Sequence, residues 1–121
     1  MKKKMNKDDM KHRTRQFAIR IIRLVESLPR GRTEAVLGKQ LLRSGTSVGA
    51  NYRAACRAKS TADFVYKMGI VEEETDESLY WMELLIETKI MESTKLEPLM
   101  KEANELLAIT VTSIKTAKKT R

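Results

Sequence analysis

Apolar side chains recur at steps of three and four residues along almost the whole chain, and no segment alternates them in the two-residue rhythm of a strand. This rhythm predicts a first helix over Lys7–Leu28, with Phe17, Ile21, Leu24 and Leu28 on one stripe widened by Ala18, Ile22 and Val25. Pro29 offers no amide and disfavours helical geometry at its predecessor, so it ends that helix, and Gly31 allows the turn that follows. Thr33 is placed to cap a second helix, with Glu34 near its positive end. Val36, Leu37, Gln40, Leu41, Ser44, Val48, Tyr52 and Ala55 recur at helical spacing along it.

Gly45 and Gly49 interrupt that second segment, each disfavouring helix by about 1 kcal/mol relative to Ala. Two readings compete. Ser44–Ser47 is a loop in which Ser47 caps a new helix, or the helix runs through to Ala58 and its small residues admit a neighbouring backbone. The apolar period keeps phase across both glycines, which favours the continuous helix. Ser60-Thr61-Ala62-Asp63 has the form of a capping box and opens a third helix reaching about Ile90. Met91–Lys95 reads as a connection. Pro98 is tolerated only near a helix start and so fixes where the fourth begins, with Leu99, Ala103, Leu106, Thr110, Ile114 and Ala117 as its stripe.

Four helices joined by short connections must run antiparallel to their neighbours, so the expected architecture is all-α: an up-down-up-down antiparallel four-helix bundle with a left-handed twist. The length of 121 residues supports a single domain over 1–121, with basic, mobile ends at 1–6 and 118–121. The content of 41% hydrophobic and 33% charged residues is enough for a core and too apolar for a disordered tail. One Cys and one His can make neither an internal disulfide nor a zinc site, and clusters of the Ser–His–Asp or Cys–His type are nearly excluded. No cofactor and no metal is required for folding. No apolar run spans a membrane and the first fifteen residues lack the apolar core of a signal peptide, so a reduced, cytoplasmic setting is expected.

The charge is unevenly placed. The formal net charge is +8. In an up-down bundle one end gathers residues 1–15 at +5, 51–67 at +3 and 113–121 at +4, so that this end carries +12 and the remainder −4. Neutralising phosphates releases counterions and drives binding without reading sequence, which makes Lys11, Arg13, Arg15, Arg53, Arg57, Lys59, Lys118, Lys119 and Arg121 candidate nucleic-acid contacts. The competing reading is that these residues only keep the surface solvated.

Glu72, Glu73, Glu74, Asp76 and Glu77 form the densest acidic run. Carboxylates clustered on bundle helices can hold Mg²⁺, and Glu73 to Glu77 fits the E-E-x-x-E pattern of all-α nucleoside triphosphate pyrophosphatases. Glu102 and Glu105 are the one candidate for the second carboxylate pair such a site needs. The alternative is a solvated face, or pairing with Arg20, Arg23 or Arg43. His12 lies in a basic segment and reads as solvated. Cys56 reads as a small buried hydrophobe whose arginine neighbours could activate it. Tyr80 and Trp81 are adjacent and so diverge around the helix; one must leave the core, making both candidates for a subunit interface, unless Tyr80 simply sits at the rim.

The run Leu42-Arg43-Ser44-Gly45-Thr46-Ser47-Val48-Gly49-Ala50-Asn51-Tyr52-Arg53, then Ala55–Ser60, Asp63–Ile70, Glu74, Asp76-Glu77 and Leu79–Leu85, strongly resembles the proteins encoded in bacterial 23S rRNA intervening sequences, the S23 type, over roughly Phe17–Ile114. The resemblance implies an up-down bundle assembled as a homopentamer, with no firmly assigned activity. It also implies kinship with the accessory variability proteins of diversity-generating retroelements, whose basic pentamer binds nucleic acid and a reverse transcriptase. Arg43, Ser44, Ser47 and Asn51 match the family's polar motif on the second helix, and Glu74, Asp76, Glu77 and Trp81 its motif on the third. Ala54 and Tyr66 stand where the family often has Glu and His, which weakens an enzymatic reading. The polar residues are expected to form a buried Arg–Glu–Asn network that fixes helix register.

The function expected is therefore that of a non-enzymatic homo-oligomer, a pentamer by resemblance, binding structured RNA or DNA through its basic end. The rival readings are a scaffold for another protein and a Mg²⁺-dependent nucleotide pyrophosphohydrolase.

Overall fold

The computed structural model describes residues 5–120. They form four helices: α1 (Lys7–Glu26), α2 (Arg32–Cys56), α3 (Thr61–Glu87) and α4 (Ser93–Lys119). Consecutive helices are neighbours, and α4 closes back on α1. Val25 and Leu28 face Gly38, Ile21 faces Gly45 and Thr14 faces Gly49, so α1 and α2 run antiparallel. Among the described residues there is no strand.

The helix ends follow local chemistry. Asn6 Oδ1 accepts from the Asp9 amide at 2.8 Å while Asp9 Oδ2 accepts from the Asn6 amide at 3.3 Å, a reciprocal capping box that starts α1. That helix stops two residues short of the expected Leu28, because the Ser27 and Leu28 amides already turn back to Leu24 and Val25 before Pro29. The N-cap of α2 is Gly31 rather than Thr33: the Gly31 carbonyl accepts the first helical bond, from the Ala35 amide at 3.0 Å. The helix ends at Cys56, with the Arg57 and Ala58 amides tightening to Ala54 and Ala55.

Through Ser44–Ser47 α2 is continuous. The hydroxyls of Ser44, Thr46 and Ser47 donate back to the carbonyls of Leu41, Leu42 and Arg43, so none is spent as a cap. Ser60 does cap α3, accepting from the Asp63 amide at 3.0 Å, but Asp63 answers to the Lys59 amide and to Lys67 Nζ instead of closing the box.

Two boundaries in the second half differ from expectation. Helix α3 ends at Glu87, not near Ile90, because Lys89 adopts a left-handed conformation with φ of 62°. The Lys89 amide then reaches Ile86 O and the Ile90 amide reaches Leu85 O, the two bonds of a Schellman stop. Helix α4 begins at Ser93, so Pro98 lies inside it and Met91–Lys95 is only partly a connection. Burial explains the earlier start: Leu96 is fully buried and anchors a turn that the proline argument had assigned to a loop.

The core runs through Phe17 and Ile21, Leu41 and Val48, Met68, Val71, Met82 and Leu85, and Leu96 and Leu106, all fully buried. A layer of hydroxyls is buried with them. Thr75 and Thr110 donate to the carbonyls four residues back, and Ser78 Oγ joins α3 to α2 through Ser44 Oγ at 3.0 Å. No buried side-chain polar atom lacks a partner among the described residues.

Candidate nucleic-acid interface

The face between α1 and α2 is a shallow groove. Its character follows from the small residues that let the two helices approach. A methyl group at Gly45 would overlap Ile21, and one at Gly49 would press on Thr14, so the backbones lie close. Ala18, Gly49, Ala50 and Ala54 then leave a floor with little side-chain bulk. The walls are basic. Lys11, His12 and Arg15 rise from α1 and Arg53 from α2 around a recess of about 540 Å³. A second recess of about 400 Å³ continues it between Lys11, Arg53 and Arg57. No carboxylate lines either recess. Residues four apart stack one turn along a helix, about 6 Å, so Lys11 faces Arg53 at the middle of the groove, with Arg15 at one end in the first recess and Arg57 at the other in the second.

Of the other predicted contacts, Lys59 is exposed just after α2, and Lys118 and Lys119 occupy the last turn of α4. All three belong to the basic end but not to the groove. Arg121 lies outside the described residues.

Arg13 is a correction. It points to α4, where Nε and Nη2 both bind Glu102 and Nη2 also reaches Glu105 at 3.1 Å. The hydrogen bond to Glu102 outweighs partial desolvation and raises the pKa of the guanidinium further. Arg13 is thus a structural tie between the first and last helices rather than a phosphate contact. No spacing rule reveals this pair, since its members lie 89 residues apart.

The same pairing removes the expected second carboxylate pair for a cation. On α3, Arg43 takes up Glu77 and Glu74, the latter at 3.3 Å, and these bonds raise its pKa. Among the described residues no group of three or more His, Cys, Asp or Glu is arranged to hold a metal ion.

The motif residues form a surface clasp, not the buried network expected. Arg43 keeps half its side chain exposed because α2 presents it at the groove between α2 and α3. Desolvation opposes the charge on Glu77, but hydrogen bonds from Arg43 and from Trp81 Nε1 at 3.1 Å hold its pKa below the ordinary carboxylate range. Asn51 turns to its own helix, donating to Ser47 O at 2.8 Å, and Ser47 donates to Arg43 O. Asp76 is exposed and joins none of these bonds. The buried link between α2 and α3 is Ser44–Ser78, and Ser78 is not among the residues that the sequence singles out.

Trp81 is half-buried against the core, and Tyr80 is 52% exposed. Their rings do not diverge as adjacency suggested: they meet edge to face with centroids 5.1 Å apart. Tyr66, two heptads earlier on α3, is 69% exposed. Cys56 is half-buried beside Lys59, and His12 is exposed on the groove wall. No helix among the described residues is long and apolar enough to cross a membrane.

The family model described as 23S rRNA-intervening sequence protein matches residues 6–112. A crystal structure at 1.70 Å resolution of a protein with unknown function from the S23 ribosomal protein family of Bacteroides thetaiotaomicron VPI-5482 is similar over 92% of this chain and 99% of its own, with 39% identity and a TM-score of 0.85. No curated protein matches the chain.

Proposed function

The chain belongs to the 23S rRNA-intervening sequence protein family, and on that premise we propose that it is a non-enzymatic homo-oligomer that binds structured RNA or DNA through its basic end. The observation that supports this reading best is the groove between α1 and α2, along which Lys11, Arg15, Arg53 and Arg57 follow one another with no carboxylate in the lining. Among the described residues none of the four makes an ion pair, whereas Arg13 and Arg43 are each held by two carboxylates. Four exposed like charges kept together repel one another, and a polyanion removes that repulsion.

Assembly strengthens such a surface. A pentamer, the number the resemblance implies, would present five grooves to one polyanion and add avidity without new contacts. The exposed Tyr66 and Tyr80 on α3 offer amphipathic contact area for it, with Trp81 behind them. The setting proposed is the cytoplasm, where the thiol of Cys56 stays reduced.

Fluorescence anisotropy with a labelled structured RNA and a duplex DNA across a salt series, beside light scattering, tests the reading. The expected result is an oligomeric mass and a log affinity that falls linearly with log salt. Reversing Arg53, Arg57 and Lys59 to Glu should weaken binding by at least about tenfold with the helical circular dichroism signal intact. An intact oligomer that binds neither nucleic acid at low salt would leave the scaffold reading in its place. Mg²⁺-dependent turnover of nucleotides that vanishes in Glu73→Gln would establish the pyrophosphohydrolase instead.

A further inference from the structure

We propose that the α1–α2 groove seats one sugar-phosphate strand of a double helix, and that unpaired, unstacked strand is a poor ligand for it; this rests on the nucleic-acid reading above. The lining carries the argument. Proteins that take up single strands without sequence preference stack the bases on aromatic side chains, which compensates for their unstacking. Neither recess has a Phe, Tyr or Trp: its side chains are Lys, Arg, Thr and Ala, with Gly49, and its one ring is the small imidazole of His12. Of the aromatics at the basic end, Tyr52 and Phe64 line a different cavity of about 520 Å³, and the exposed Tyr66 on α3 lines neither recess. With no broad aromatic platform to replace base stacking, the groove favours a ligand whose bases stay stacked on each other, as in a double helix.

The shape agrees. The backbone of a duplex is a ridge between two grooves, and a ridge needs a shallow trough with charge on both walls. The floor of Ala18, Gly49, Ala50 and Ala54 allows that approach, with Lys11 and Arg15 on one wall and Arg53 and Arg57 on the other. Each row spans about 6 Å, which meets about two successive phosphates of a strand that places one every ~3.4 Å along the duplex axis. No Asn, Gln, Asp or Glu lines the groove, so it has none of the side chains that discriminate bases best apart from its cations. Binding is to the backbone and independent of sequence.

The test compares the intact protein against three labelled ligands at one salt concentration: an RNA duplex and a DNA duplex of about 20 base pairs, and an unstructured polyuridine strand of about the same length, each longer than the ~17 Å from Thr46 to Arg57. Both duplexes are expected to bind at least about tenfold more tightly than the single strand, the equivalent of about one missing base stack. Arg15→Ala and Arg53→Ala should each weaken duplex binding, and Lys95→Ala, at the far end of the bundle, should not. The single strand binding as tightly as the duplexes overturns the inference while leaving the nucleic-acid reading intact. So does loss of duplex binding in Lys95→Ala but not in Arg53→Ala. Failure of all three ligands at low salt removes the nucleic-acid reading itself. A gap between the two duplexes assigns the ligand to RNA or to DNA.

Discussion

A methyl group built at Gly45 would lie 2.8 Å from both Cγ atoms of Ile21, a branched and fully buried side chain with nowhere to retreat. A methyl group at Gly69 would meet nothing within 4 Å. Helix propensity favours Ala over Gly by about 1 kcal/mol at both positions. Steric overlap costs about 1–3 kcal/mol at the first only. Gly69→Ala is therefore expected to raise the urea midpoint and Gly45→Ala to lower it, and a rise in both would mean that α1 and α2 are not pressed together at Ile21. Individual residues were also where the sequence was least informative. The stripes named most of the core correctly, because burial in a bundle follows the helical period. Arg13 was misassigned because its partners come from the far end of the chain, and the Arg43 clasp was placed inside because its matching residues share a face without showing how far that face is turned toward solvent.

At the level of elements, the start of α3 at Ser60 and a stop for α1 before Pro29 were legible in local chemistry, whereas the cap of α2 falls on Gly31 instead of Thr33 and α3 stops at a turn around Lys89 that no residue type announces. The fourth helix escaped because Leu96 draws the turn before Pro98 into the core, overriding the proline's preference for a first turn. The stop of α3 is built around a lysine in the left-handed region, a conformation that costs an L side chain about 1–2 kcal/mol and glycine almost nothing. Lys89→Gly is accordingly expected to stabilise the protein by about 1 kcal/mol in chemical denaturation, less the greater entropy that glycine gives the unfolded chain. A destabilisation would show that the Lys89 side chain contributes more than its backbone strain costs.

Across the whole molecule, arginines divide into those that hold helices together and those left for a partner. Arg13 joins α1 to α4, and its removal strands Glu102, whose side chain is only 19% exposed. Arg13→Ala should cost about 1–3 kcal/mol of stability and leave the salt dependence of nucleic-acid binding unchanged. Arg53→Ala should do the reverse, reducing the slope of log affinity against log salt by about 0.9 while the unfolding midpoint stays put. Equal behaviour of the two variants would mean that the sorting by ion pairs is not a sorting by role. The clasp between α2 and α3 has a consequence of another kind. The protein's single tryptophan donates its indole N–H to Glu77, the carboxylate that Arg43 grips from the neighbouring helix. Its emission thus reports one event during refolding, the docking of α2 against α3, and can be timed without a dye against the recovery of helix across the whole chain.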